Sequence, residues 1–309
     1  MKVAEWGRWL VCLLVCWLAV GCVSPVSVLP TATLVPTCTP APTVVPTLPP
    51  TSTVAPTPIR PVPTVTPTEA PAGVTITILY DNNEYDERLK AAWGFSCLVE
   101  GPEKTILFDT GGDSATLLSN MRTLGIDPRD VDVVVISHVH GDHVGGLAGF
   151  LEENHAVTVY LPQSLPDSIK GATRRAGAEV VEVHDPVEIC EHVYSTGELG
   201  DWIKEQSLVI ETARGLVVIT GCAHPGVVNI VRRAKELTGE GVYLVLGGFH
   251  LGGTGAAEIA TIVEDFQQLG VQKVAPCHCS GDVARQLFEE AYGENFTPAG
   301  VGCRLEVRG

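Results

Sequence analysis

Basic charge is what this 309-residue chain has least of. Its 20 Lys and Arg stand against 36 Asp and Glu, a formal net charge of −16 at pH 7. Residues 1–73 hold three Lys/Arg and two Asp/Glu, so the remainder carries 17 against 34, or −17. Phosphate contacts need clustered Lys and Arg, so no nucleic acid is expected as a partner. A small anionic substrate at a locally positive metal site is not excluded. Long apolar runs are absent too: the one at Leu10–Val20 is short for a membrane span. The six cysteines from Cys97 onward show neither a disulfide-scaffold spacing nor a paired C-x-x-C zinc module. Histidine is sparse, 9 in all, and none precedes residue 138.

The first 22 residues, MKVAEWGRWLVCLLVCWLAVGC, have a weakly basic start (Lys2, Arg8), an apolar core and Gly21 before Cys22. That layout is a secretory signal. A small residue directly before a cysteine resembles a bacterial lipobox, which implies lipid attachment at Cys22 and an extracytoplasmic, membrane-anchored address. Residues 23–73 hold 14 of the 22 prolines in a Thr/Pro/Val tract. Proline removes backbone donors and fixes extended geometry, so the tract reads as a disordered stalk. Fully extended at about 3.1 Å per residue, it reaches on the order of 150 Å.

Residues 74–309 are long enough for one domain with its own core. Strands are expected at VTITILY, FSCLVE, KTILFDT, VDVVVISH, VTVYLP, EVVEVH, SLVIET, GLVVITG, VYLVLGG and KVAPCH. Helices are expected at SATLLSNMRTLG, GGLAGFLEEN, VVNIVRRAKELTG, AAEIATIVEDFQQLG and VARQLFEEAYG. Nearly every strand run is fully apolar rather than alternating, which calls for sheets covered on both faces. Two packed sheets with helices outside fit that inventory, an α/β fold.

Polar, metal-capable residues fall at the strand ends: Asp109, the cluster 138–143, His224, His250 and His278. In HVHGDH, His138 and His140 lie two apart on an extended strand end and face the same way, so they can hold one ion. After Gly141 the chain turns, so that Asp142 and His143 can face a second. Two sites need more ligands than this loop supplies, and His224 and His278 arrive from later strands. Imidazole and carboxylate suit zinc first, with iron or manganese as alternatives.

The pattern H-x-H-x-D-H, then Gly-Gly, then later strand-end histidines, resembles the metallo-β-lactamase superfamily over essentially all of residues 74–309. The resemblance implies a four-layer αβ/βα sandwich with two divalent metal ions at one edge. It assigns His138, His140 and His224 to the first ion, and Asp142, His143 and His278 to the second. ILFDTGG, EQSLVIET, TGCAHPGVVNIV, VLGGFHL, PCHCSGD and GVGCRLEV look like its dihydropterin synthase-like group. Hydrolases of the superfamily commonly carry a bridging aspartate where this chain has His250, which leaves His250 as a ligand or an acid/base. Asp109 reads either as the partner of a ligand histidine's free N–H or as a turn-capping residue. His155, His184 and His192 are expected at the surface. Cys277 and Cys279 flank His278 and, on an extended segment, point away from it. DNNEYD, residues 81–86, resembles a loop near the substrate.

The activity implied is a dinuclear metal-dependent enzyme, a hydrolase acting on an ester, lactone or phosphoryl-containing small molecule, with Asp142 orienting water or accepting its proton. A transferase like the synthase that names the group, and a tethered sensor without turnover, are the alternatives.

Overall fold

The computed structural model describes residues 73–101 and 103–308, and the signal, lipidation and stalk expectations fall outside them. From the first described strand the chain runs β1 (Val74–Tyr80), β2 (Ser96–Glu100), β3 (Thr105–Phe108), α1 (Ser114–Leu124), β4 (Val133–Val135), α2 (Gly141–Val144) and α3 (Leu147–Glu153). It continues through β5 (Thr158–Pro162), α4 (Asp167–Ala176), β6 (Glu179–Val183), β7 (Val187–Cys190), β8 (Val193–Ser195), β9 (Leu208–Ile210) and β10 (Leu216–Thr220). It ends with α5 (Val227–Thr238), β11 (Val242–Gly248), α6 (Ala256–Gln268), β12 (Lys273–Cys277), α7 (Asp282–Tyr292) and β13 (Arg304–Val307).

Two sheets result. One has seven strands in the order β13-β1-β2-β3-β4-β5-β6, the other six in the order β12-β11-β10-β9-β8-β7. Strands β3 to β6 run parallel, as do β10 to β12, and the remaining pairings are antiparallel. The fully apolar strand sequences are explained by the layering. Ile106 and Phe108 of β3 and Val217 and Ile219 of β10 fill the space between the sheets. Their neighbours face outward under helices: Leu107 joins Leu117 and Met121 of α1 and Phe150 of α3, while Val218 joins Ile230 of α5 and Phe266 of α6. Four layers, αβ/βα, cover both faces of both sheets.

Five elements go beyond the sequence reading: strands β7, β8 and β13, the short helix α2, and helix α4. Strands β7, β8 and β13 are only three or four residues long. Helix α4 fully buries only Lys170 and Thr173 among its ten residues, and Ile169 is its one side chain packed against the core, so its apolar stripe is thin. Ion pairing adds to that contact, with Lys170 Nζ 2.9 Å and Arg174 2.6 Å from the Glu182 carboxylate on β6.

The ends of β3, β10, β11 and β12 share one device. Asp109, Ala223, His250 and His278 follow these strands with φ of 55°, 61°, 54° and 48°. Left-handed backbone at a residue other than glycine costs roughly 1 kcal/mol or more, and it concentrates where a site must be shaped. Here it turns each chain sharply at the same edge of the sandwich.

Candidate metal centre

Beyond β4 the chain carries Ser137 and His138 into the interior, and His140 begins the short helix α2, which turns Asp142 and His143 back toward the sandwich. Three ring nitrogens meet there. His140 Nδ1 lies 3.1 Å from His138 Nε2 and 3.1 Å from His224 Nε2. An ion about 2.0–2.3 Å from each of its tetrahedral N, O or S ligands sets those ligands about 3.3–3.8 Å apart, so this close spacing suits one ion.

A second group adjoins the first. Asp142 Oδ2 lies 3.4 Å from His278 Nε2 and 3.8 Å from His143 Nε2, and His143 Nε2 lies 3.2 Å from Cys222 Sγ. These four atoms all lie within 4.8 Å of one another. His278 Nε2 is buried and has no hydrogen-bond partner. A buried nitrogen without a partner is costly, and a cation beside it removes the cost. Both donor sets therefore fit divalent ions.

The other ring nitrogens explain why these lone pairs point inward. Asp109 is fully buried; its Oδ1 accepts from the Ser137 amide at 2.6 Å. Its Oδ2 accepts from the Ser137 hydroxyl and from His143 Nδ1, each at 2.7 Å. The Ser137 hydroxyl donates its one O–H to Asp109, so at 2.9 Å its oxygen accepts from His138 Nδ1. One carboxylate thus sets the tautomer of a histidine in each group. Asn82 Oδ1 does the same for His278 Nδ1 at 3.0 Å. Asp81, fully buried at the end of β1, accepts from the His278 amide at 3.0 Å and fixes that turn.

Glu205 anchors the opposite side. Oε1 accepts from the amides of Gly221, Cys222 and Ala223 at 2.9–3.1 Å, and Oε2 accepts from His224 N at 2.9 Å. Burial pushes Glu205 up to about 7 against the pull of these amides. Burial, then the neighbouring His250 and His140 rings, lowers His224 to about 4; burial and the other rings likewise lower His138. Burial opposes ionisation of Asp142, but the neighbouring His278 and His143 rings outweigh it and hold the carboxyl well below its usual range. Burial also opposes a charge on His143, and Asp109 overrides it, so that ring is raised.

The structure thus brings His138, His140 and His224 together, and Asp142, His143 and His278 together, with Asp109 behind both. His250 is in neither group. Its ring lies 4.2 Å from that of His224, exposed, and its nitrogen lies near Cys222 and Cys279. A hydrogen bond to Cys279 raises its pKa. The extended segment assumed around His278 is corrected: with φ 48° that residue opens a 3-10 turn, which swings Cys279 back to Cys222 and His250. His155 and His184 are exposed and His192 is half-buried. Sequence reasoning missed Ser137, Asn82, Glu205 and Cys222 as individual residues, although DNNEYD, EQSLVIET and TGCAH contain three of them and Asp81. Trp93, 60% exposed, rests its ring 5.0 Å from that of His278 at the mouth.

The family model of the metallo-beta-lactamase superfamily matches residues 94–233. A 7,8-dihydropterin-6-methyl-4-(beta-D-ribofuranosyl)-aminobenzene-5'-phosphate synthase of Methanocaldococcus jannaschii is 29% identical over 269 residues, spanning 71% of this chain and 92% of that protein. An uncharacterized protein of the same organism is 30% identical over 264 residues, 74% of this chain and 98% of its own length. Among solved structures, Tm1679, a metal-dependent hydrolase of the beta-lactamase superfamily, is 30% identical with a TM-score of 0.64, over 76% of this chain and all of that one. Sandwich, edge site and these likenesses agree, and the chain belongs to the metallo-β-lactamase superfamily.

Proposed function

We propose that this protein is a hydrolase that holds two divalent ions, zinc first with iron or manganese as alternatives, and acts on a small molecule with an ester, lactone or phosphoryl group. The observation that carries it is the pair of adjoining donor groups at ion-ligand spacing, one of them containing the buried, partnerless Nε2 of His278. Bound there, the ions lower the pKa of a coordinated water and polarise a substrate oxygen.

The chain's own groups complete the arrangement. Asp142, with its side chain 22% exposed, reaches both the second group and the mouth, where it can orient water and accept its proton. His250, beside His224 and open to solvent, is placed to exchange a proton with a bound substrate. Trp93 offers a planar apolar surface against which a substrate ring or chain can rest. The first group is three neutral imidazoles, so an ion there keeps its positive charge and draws an anionic substrate despite the acidic surface. The same charge balance argues against nucleic acid as a partner.

A transferase of the synthase type is the second reading, favoured by the likeness to the Methanocaldococcus jannaschii enzyme along 92% of that protein. A sensor without turnover is disfavoured, because all six ligand positions are filled by metal-capable side chains. In the same proposal, lipidated Cys22 and the stalk hold the domain outside the cytoplasm. The test is metal analysis of the purified chain, then assay on lactones, thioesters, phosphodiesters and phosphorylated pterin-like acceptors. Two ions with hydrolysis support the first reading, and condensation without hydrolysis supports the second. A metal-loaded chain inert on every substrate counts against both.

A further inference from the structure

We propose that Cys222 is a metal ligand, its thiolate joining Asp142, His143 and His278 around the second ion; this rests on the metal-binding reading given above. Four observations on separate atoms support it. Cys222 Sγ lies 3.2 Å from His143 Nε2. That nitrogen presents a lone pair, because Nδ1 of the same ring donates to Asp109. The sulfur is held in place: Glu205 takes the amides of Gly221, Cys222 and Ala223, and Ala223 is turned left-handed. On the far side of the group, the buried Nε2 of His278 has no partner among the protein atoms.

The backbone before Cys222 is also built for close approach. A Cβ on Gly221 would lie 2.1 Å from Ser137 Oγ and 3.0 Å from Asp109 Oδ2, so only glycine lets this strand end sit against the Asp109 network. The sequence thus gives up a side chain at 221 to place the next one at the metal group.

The two ions are then unlike. The first is held by three neutral imidazoles, which leaves a fourth position free and the full charge of the ion in place. The second is enclosed by four protein ligands, and its charge is cancelled by a carboxylate and a thiolate. The thiol gives up its proton to solvent as the metal–sulfur bond forms. Substrate and water therefore belong to the first ion, while the second fixes the loops and the field around it. A thiolate at the second site also selects zinc, cobalt or cadmium over manganese or magnesium.

The competing arrangement is a neutral Cys222 thiol donating a weak hydrogen bond to His143. The full-length chain, stripped with chelator and titrated with cobalt(II), separates the two. Sulfur coordination gives a near-ultraviolet charge-transfer band that grows with one of two equivalents. Cys222→Ser should abolish the band and weaken one equivalent at least tenfold while leaving the other in place. Cys279→Ser and Cys190→Ser should keep it. Cadmium NMR of the wild type needs no variant, and one of two resonances should sit in the sulfur-ligated range. Two bound ions with no band, or two resonances in the nitrogen/oxygen range, overturn the cysteine assignment alone. Failure to retain any cobalt or cadmium overturns the metal reading and this inference with it.

Discussion

Replacing Asp109 by asparagine changes one atom and sets two requirements of the centre against each other. The carboxylate accepts three hydrogen bonds: one from the Ser137 amide at Oδ1, and two at Oδ2, from the Ser137 hydroxyl and His143 Nδ1. An amide retains one acceptor. Turned with its NH2 toward Oδ1, it faces the Ser137 N–H and leaves two buried donors without acceptors. Turned the other way, it donates to His143 Nδ1, which forces the proton onto Nε2 and removes the lone pair from the second group. Each lost charge-assisted bond in a buried site costs about 1.5–3 kcal/mol. Partial relaxation leaves a net loss of about 2–4 kcal/mol for Asp109→Asn in urea unfolding of the metal-free chain. Loss of a hydrogen bond that orients a ligand histidine typically weakens metal binding about 10–100-fold. Competition against a chromophoric chelator reads that affinity directly. An Asp109→Asn chain that binds metal within threefold of wild type, at unchanged stability, would refute the claim that this carboxylate sets the tautomers.

Three further outcomes follow from the same geometry. Stripping metal should lower thermal stability, by about 4 kcal/mol per site at a thousandfold excess of free metal over Kd; at about 2–4 °C per kcal/mol, calorimetry should show a fall of about 10 °C or more, and coincident traces with and without metal would refute it. Trp93→Ala should raise KM several-fold and spare kcat, as expected of a residue that binds substrate and transition state alike; an equal fall in kcat with KM unchanged would contradict that role. In the metal-free chain, His224 has its folded pKa lowered from 6.5 to about 4, so its share of stability is intact above pH 6.5 and lost as pH falls from there through about 4; a ring-proton NMR titration with its inflection near 6.5 would rule this out.

The sandwich was readable in the sequence because its cause is local. Apolar strand runs such as VVVIS and LVVIT show that both faces are covered, whichever strands pair. The histidines were readable because the five proposed ligand imidazoles and His250 stand just beyond such runs. What remained hidden depends on contacts between distant positions. Glu205 bonds amides 16–19 residues ahead of it, and Asp81 reaches His278 across 197 residues. Cys222 was passed over because nothing in TGCAH reveals that Ala223 is left-handed and that the sulfur therefore meets His143. Cys279 was misdirected for the same reason, since an extended segment was assumed where His278 turns. Helix α4 escaped because its hold on β6 is ionic, and charge pairs leave no period-3.6 apolar stripe to read.

The proposed ligand residues divide between the two sheets: His138, His140, Asp142 and His143 follow a strand of the seven-stranded sheet, while Cys222, His224 and His278 follow strands of the six-stranded one. No ion can therefore be fully ligated by either half of the domain. Competence to bind metal with native affinity is an assembly signal that arises only after the two halves have docked, late along any folding route. A refolding experiment followed by a metal-sensitive dye would then time the closure of the sandwich, whichever sheet forms first. Two fragments of the domain, each carrying one sheet, would be recognised as correctly joined by their recovery of metal.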